Sequence, residues 1–290
     1  MKELTFNAVD ELAFASTNGK VLRDIPSGSY LPAALGPLVE FLVLMSEGVL
    51  PDSSQASLDS SKARNFLTAW YAGQRQWLSQ DAHIGFIHTG GTAADWDIDL
   101  TRFLMAAQRA ARERSQLPGT TPGQMAAAMQ ELEGNIQEHS NAVASGVLVF
   151  RATDGVFEFV VADRGIGLLD SLRQRAAFAA LHDHGRALEL ALTDGTSRYD
   201  DARRGHGFRP IFIGLTNLQG YLRFRSGDHA LVMDGTGPTL ATAHISQKPL
   251  LQGFFASVRC HNRSGSDAFV EEFPNEQDQA LFDIPSEDRL

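Results

Sequence analysis

The chain has 290 residues, 43% hydrophobic and 21% charged, an ordinary soluble composition with room for one large domain or two modest ones. Its formal net charge of −10 argues against a general nucleic-acid-binding surface, though not against a local basic patch, and its single cysteine, Cys260, excludes an intrachain disulfide and a multi-cysteine metal site. The opening "MKELTFNAVDEL" lacks the apolar core of a secretory signal, and "YLPAALGPLVEFLVLM" (30–45) is broken by Pro32, Gly36, Pro37 and Glu40, so the expectation is a cytoplasmic protein without a membrane span.

Leu35 to Met45 reads as a buried helix. A serine-rich loop, "SSQASLDSSK" (53–62), leads to a second helix over Ala63 to Gln80 that carries Phe66, Trp70 and Trp77 into the core. "AHIGFIHTGG" (82–91) reads as a short strand ending in a glycine turn, without the spacing and lysine of a P-loop. Residues 98–115 form an amphipathic helix with Leu100, Phe103, Leu104 and Ala107 on one side. "LPGTTPG" (117–123) then breaks the chain and marks a boundary after a mostly helical N-terminal domain, 1–117, of unknown role.

Thr121 and Pro122 read as the N-cap and first residue of a helix running to about Ala144, with Met129, Leu132, Ile136 and Val143 as its apolar stripe. "VLVFRATDGVFEFVVAD" (147–163) is two strands about an Asp154-Gly155 turn. A polar stretch with some helix covers 168–204, a helix follows over 208–219, and strands lie near 220–226, 229–234 and 253–260. Cys260 falls on an apolar strand, where a buried, inert thiol is expected. The stretch 263–290 holds eight acidic and two basic residues and reads as an acidic tail.

Three stretches carry chemistry. In "ELEGNIQEH" (131–139), Glu131, Asn135 and His139 stand four apart and project along one side of a helix, with Glu138 beside the last. Asn135 offers a neutral oxygen for Mg²⁺, and Glu131 one turn earlier can orient or deprotonate a water; a solvated helix face is the plain alternative. In "VVADRGIGL" (160–168) a strand delivers Asp163 to its end, where a carboxylate among apolar residues can accept a hydrogen bond from an exocyclic amine such as that of adenine. Gly165 and Gly167 let the backbone turn and admit a ligand close to the main chain, although Asp and Gly also make ordinary turns. In "ARRGHGFRP" (202–210), Gly205 and Gly207 precede a helix start whose free N–H groups suit phosphate oxygens, with Arg203 and Arg204 adding charge; a basic solvated loop has the same composition. The "HDH" at 182–184 offers two histidines to a metal, a pair that in a polar stretch is also simply solvated.

The order of these stretches resembles the GHKL superfamily of ATPases and kinases, the Bergerat-fold group that includes gyrase B-type and Hsp90-type ATPases, histidine-kinase catalytic domains and anti-sigma-factor kinases. "ELEGNIQEH" looks like the N box, "VADRGIGL" like the G1 box and "RGHGF" like the G2 box, over about 120–260. The resemblance implies a two-layer α/β sandwich over 118–262, a mixed sheet with helices on one face, preceded by the helical domain and followed by the tail. It implies ATP and Mg²⁺ as cofactors, with Asn135 as the magnesium ligand, Glu131 as general base and His139 as a phosphate neighbour. Asp163 would hold the adenine amine, Gly165 and Gly167 would allow its close approach, Arg204, Gly205 and Gly207 would wrap the phosphates, and 168–204 would form the lid. Many relatives carry Gly-Thr on the late strand to back the aspartate; here the matching pair is Gly253-Phe254, and His206 and Phe208 also depart from the usual G2 box.

Two function classes follow. One is regulatory phosphoryl transfer, as a protein kinase or slow ATPase; the other is an ATP-gated interaction module whose lid state is read by a partner protein. The helix over 98–115 has no histidine to accept phosphate, against a self-phosphorylating histidine kinase, and a length of 290 residues sets the expectation against a gyrase- or Hsp90-like machine with its further domain. Among partners, the reading leaves open a regulatory protein and a homodimer.

Overall fold

A computed structural model describes residues 2–17, 30–50, 58, 63–90, 93–191, 220–233 and 243–262. The expected helix at 208–219, the acidic tail at 263–290 and, apart from Leu58, the serine-rich loop lie outside the described residues. The fold is α/β. Its centre is a six-stranded sheet in the order β3-β4-β5-β6-β8-β7, formed by β3 (Gln76–Leu78), β4 (Ile84–His88), β5 (Val147–Thr153), β6 (Val156–Asp163), β7 (Gly220–Met233) and β8 (His244–His261). Every neighbouring pair is antiparallel, so the expected mixed sheet is corrected. Among the described residues, parallel pairing is confined to a two-stranded ribbon of β1 (Lys2–Glu3) and β2 (Tyr30–Leu31) and an adjoining bridge from Tyr30 to Leu58.

Helices cover both faces of the sheet. On one face, α4 (Ala93–Glu113) and α5 (Thr121–His139) bury Phe103, Met129, Leu132 and Ile136 against Leu148, Phe150, Phe159 and Val161. On the other, α1 (Phe6–Thr17), α2 (Leu35–Ser46) and α3 (Arg64–Tyr71) bury Val9, Leu38, Leu42 and Phe66 against Val147, Val149, Val160 and Ala162. Strand residues alternate between the two cores, which is why β5 and β6 are apolar along nearly their whole length. The expected two-layer sandwich with helices on one face is therefore corrected to three layers. Nor does the expected boundary near 117 divide the sheet, because β4 pairs with β5 from Ile84↔Arg151 to His88↔Val147.

Chain-stopping residues explain where element bounds differ from expectation. The helix expected over 63–80 ends at Tyr71, because Gly73 takes a left-handed φ of 65° and two amides return to the helix, Gly73 N–H to the Trp70 carbonyl and Gln74 N–H to that of Ala69. Trp77 consequently stands on β3, yet it and Trp70 both still pack against Phe66. The helix α4 starts five residues before the expected 98, which brings Trp96 into the core. The helix α5 stops at His139 rather than near Ala144: Ser140 Oγ donates to the Ile136 carbonyl, Asn141 turns left-handed at φ 54°, and Val143 falls in a 3₁₀ turn. Its N-cap is Thr120, one residue before the expected Thr121. The two strands expected at 220–226 and 229–234 are one strand, β7, bulged at Gly227, and β8 begins at His244 rather than 253.

The second core encloses charge. On β7, Leu222 and Phe224 face α4 and α5, whereas Arg223 and Arg225 point the other way beneath α1 and α2, both buried. Arg223 donates to Asp10 of α1 at 2.7 Å and to Glu40 of α2 at 2.9 Å, Arg225 donates to Glu40, and Lys248 reaches Asp10 at 2.8 Å. The two arginines hold the Glu40 carboxyl below its ordinary range against the opposing effect of burial. Cys260 is buried, as expected, and burial pushes its thiol up to about 12. No described helix is long and apolar enough to cross a membrane.

Candidate functional site

The apolar stripe of α5 faces the sheet, and the polar residues flank it on two sides. Glu133 lies toward α4, buried, accepting hydrogen bonds from the Trp96 indole Nε1–H at 2.9 Å and from Gln137 Nε2 at 2.6 Å. Burial raises its pKa, against those two donors. Residues two positions away on a helix point nearly oppositely, so Glu131 and Asn135 occupy the flank away from α4. That flank looks along the sheet toward β8 and β7, where α6 (Gly167–Arg173) and α7 (His184–Ala191) pack. Glu131 is exposed, while Asn135 and His139 are half-buried. The Asn135 Nδ2 is buried with no hydrogen-bond partner among the described residues. A half-turn of the amide puts its oxygen in the same place, so this end of Asn135 can present either a donor or an acceptor.

The end of α5 is docked on the loop after β6. Ile166 N–H donates to the Ser140 carbonyl at 2.9 Å, and a Cβ on Gly165 would lie 2.2 Å from that oxygen. Only a glycine at 165 allows this approach, which brings the first and second sequence motifs into contact. Asp163 is the last residue of β6, 5% exposed, and its Oδ1 accepts from the Gly165 N–H at 2.7 Å. Burial pushes its carboxyl up to about 6 despite that donor.

A second glycine contact closes the loop from the other side. Gly253, at φ +85°, packs so tightly on Asp163 that a Cβ would fall 2.2 Å from the Asp163 carbonyl oxygen. Ser226 Oγ donates to the Gly253 carbonyl at 2.8 Å and accepts from the Leu168 N–H at 2.9 Å, fixing the start of α6 to β7 and β8. Gly167 is left-handed at φ +74° beside the same serine. Asp163 pairs in register with Phe254, the position expected to lack the family's threonine.

Sequence reasoning did not single out Glu133, Ser226 or Glu47. Glu47 caps the C-terminal end of α2, with its Oε2 accepting from the Gln252 N–H at 3.2 Å. Its Oε1 is buried and unpartnered among the described residues, and burial pushes its carboxyl up to about 7. Arg204, Gly205 and Gly207 lie outside the described residues, so the third motif has no structural account. No family model, no curated protein and no solved structure matches the chain.

Proposed function

We propose that the protein binds Mg·ATP in the manner of the GHKL group, along the flank of α5 that faces α6 and α7, and that it acts in regulation by phosphoryl transfer. The observation that carries this reading is the joint between Ser140 and Gly165, which sets a helix bearing Glu131, Asn135 and His139 beside a buried, locked carboxylate at Asp163. A carboxylate among apolar neighbours suits the exocyclic amine of adenine, and Phe254, paired in register with Asp163, is the aromatic side chain beside it.

Asn135 fits magnesium by chemistry, since it supplies a neutral amide oxygen and has a buried end without a partner among the described residues. Bound there, magnesium would supply charge neutralisation for the phosphates. Glu131, one turn earlier and exposed, is available to take the proton of an attacking hydroxyl or water.

Calorimetric titration of the full chain with ATP, with and without magnesium, tests the reading. Saturable binding that magnesium tightens is the expected result. Heat no greater than dilution at millimolar ATP, with and without magnesium, overturns it.

A further inference from the structure

The bulge in β7 does more than bend the strand. The pairing with β8 shifts register between Ser226 and Gly227 and again between Gly227 and His229, and Gly227 adopts φ +64°. In a regular strand Asp228 and His229 would point to opposite faces. The bulge re-aims them, so that both meet His184 in the first turn of α7.

His184 Nδ1 lies 2.7 Å from Asp228 Oδ1, and His229 Nδ1 lies 2.8 Å from the same oxygen. One ligand-type atom from each of the three residues falls within a 4.8 Å cluster. Glycines make the room: a Cβ on Gly227 would lie 2.1 Å from His184 Cδ2, and one on Gly185 would lie 3.0 Å from His229 Cδ2. The two histidines of the 182–184 stretch therefore part company. His182 is exposed, and His184 is enclosed with residues 44 and 45 positions later in the chain.

We propose that His184, Asp228 and His229 form a binding site for a divalent transition metal, with zinc as the cation class. Two imidazoles and one carboxylate favour zinc and its first-row neighbours over magnesium or calcium, which prefer all-oxygen sites. Side-chain exposures of 31%, 35% and 22% leave an approach for water to complete four-coordination. Each imidazole now directs Nδ1 at one carboxylate oxygen; as neutral ligands through Nδ1, both rings carry their hydrogen on Nε2 instead. Tetrahedral ligands about 2.0–2.2 Å from a shared ion stand roughly 3.4 Å apart, so each imidazole, now 2.7 or 2.8 Å from the carboxylate oxygen, must draw back by about 0.6–0.7 Å, and the two imidazoles, within 4.8 Å of each other, must settle at the same spacing. The ion would cross-link α7 to the bulge of β7. This site shares no residue with Asn135 or Asp163, and it stands or falls independently of the nucleotide reading.

The test uses the full chain, stripped with a chelator, dialysed, and titrated with zinc at pH 7.5 against a chromophoric competitor without nucleotide. One zinc per chain is expected in the wild type, at least roughly hundredfold weaker in H184A and in H229A. It should be unchanged in H83A, whose histidine pairs with Asp81 elsewhere. Zinc should also raise Tm in the wild type and leave that of the H184A/H229A double variant unmoved. Wild-type protein that is folded by circular dichroism and binds zinc no more tightly than the double variant overturns the site. Should the variants fail to fold, cobalt titration of the wild type decides: tetrahedral d–d absorption supports the site and its absence overturns it.

Discussion

Trp96 and Glu133 join α4 to α5 through a single buried hydrogen bond, indole Nε1–H to carboxylate, at 2.9 Å. Replacing Trp96 with Phe keeps an aromatic ring but leaves the buried carboxylate one donor short. Hydrogen bonds to charged groups contribute about 1.5–3 kcal/mol, so W96F should lower unfolding free energy by an amount in that range. Urea denaturation measures it, and an unchanged midpoint and slope would remove the bond from the stability of the pair.

Glu40 is fully buried and holds two buried arginines, Arg223 and Arg225. Removing one partner of such a cluster leaves uncompensated charge inside the protein, at a cost of about 3–5 kcal/mol. E40A should therefore be among the most damaging single substitutions on this face. Thermal and urea unfolding should show it, whereas a loss below about 1 kcal/mol would mean that water reaches the arginines.

Glu47 gives a pH signature. Its carboxyl titrates near 7 in the folded chain against an ordinary 4.5, so the fold favours the protonated form. That contribution is complete below about pH 4.5 and is lost as pH rises through 7. E47Q stays neutral throughout, so the difference in Tm, variant minus wild type, should be small at pH 4.5 and grow to a plateau above pH 7. A pH-independent difference would show that burial is not what shifts Glu47.

Asp163→Asn should move stability and affinity in opposite directions. The folded carboxyl titrates near 6 instead of 3.8, so keeping it charged at pH 7.5 costs at most roughly 3 kcal/mol, which an amide avoids. The substituted side chain can still accept from Gly165 through its amide oxygen, but its NH₂ group meets the adenine amine donor to donor. ATP binding should weaken roughly ten- to hundredfold, in line with a charged hydrogen bond, while Tm rises. Calorimetry showing full affinity in the folded variant would sink the adenine role.

Glu131→Ala separates an enzyme from an ATP-gated interaction module. The residue is exposed on α5 one turn before Asn135, so its loss should leave ATP binding intact and cut turnover by about 10²–10⁴ if it acts as general base. Phosphate release and partner phosphorylation at saturating ATP provide the readout. Appreciable and equal turnover in both proteins would require another base, and negligible turnover in both would favour the module.

The sequence was most legible where one residue type dictates a local outcome. The Asp154-Gly155 hairpin, the apolar helix from Leu35 and the delivery of Asp163 to a strand end were all readable from short stretches. The third layer was harder because its evidence is spread along the chain. The apolar runs VLVF in β5 and FVVA in β6 are what cover on both faces looks like, and Glu40 inside "LVEFLVLM" is what a helix with a buried cation looks like, but neither pattern alone decides the layers. The cation was disguised, since the alternation "LRFR" at 222–225 reads as a strand with a solvated side. Its partners lie 183 and 213 residues away from Arg223, beyond any local pattern. Likewise Asp228 and His229 read as opposite-facing neighbours until the bulge turns them together. Glu131, Asn135 and His139 could be aligned from their spacing, but only the packing of α4 against Glu133 shows which flank is left for them.

β8 is the last of the described strands in chain order, yet it lies between β6 and β7 and pairs with both along 254–260. A ribosome must therefore deliver residues up to about 261 before the middle of the sheet can close. Until then β6 and β7 each expose an unsatisfied edge, and the arginines of β7 have no finished core in which to meet Asp10 and Glu40. Such long-range closure makes for slow, late folding and a nascent chain open to wrong strand partners. During synthesis, the vulnerable period is the interval between the emergence of β6 and that of β8.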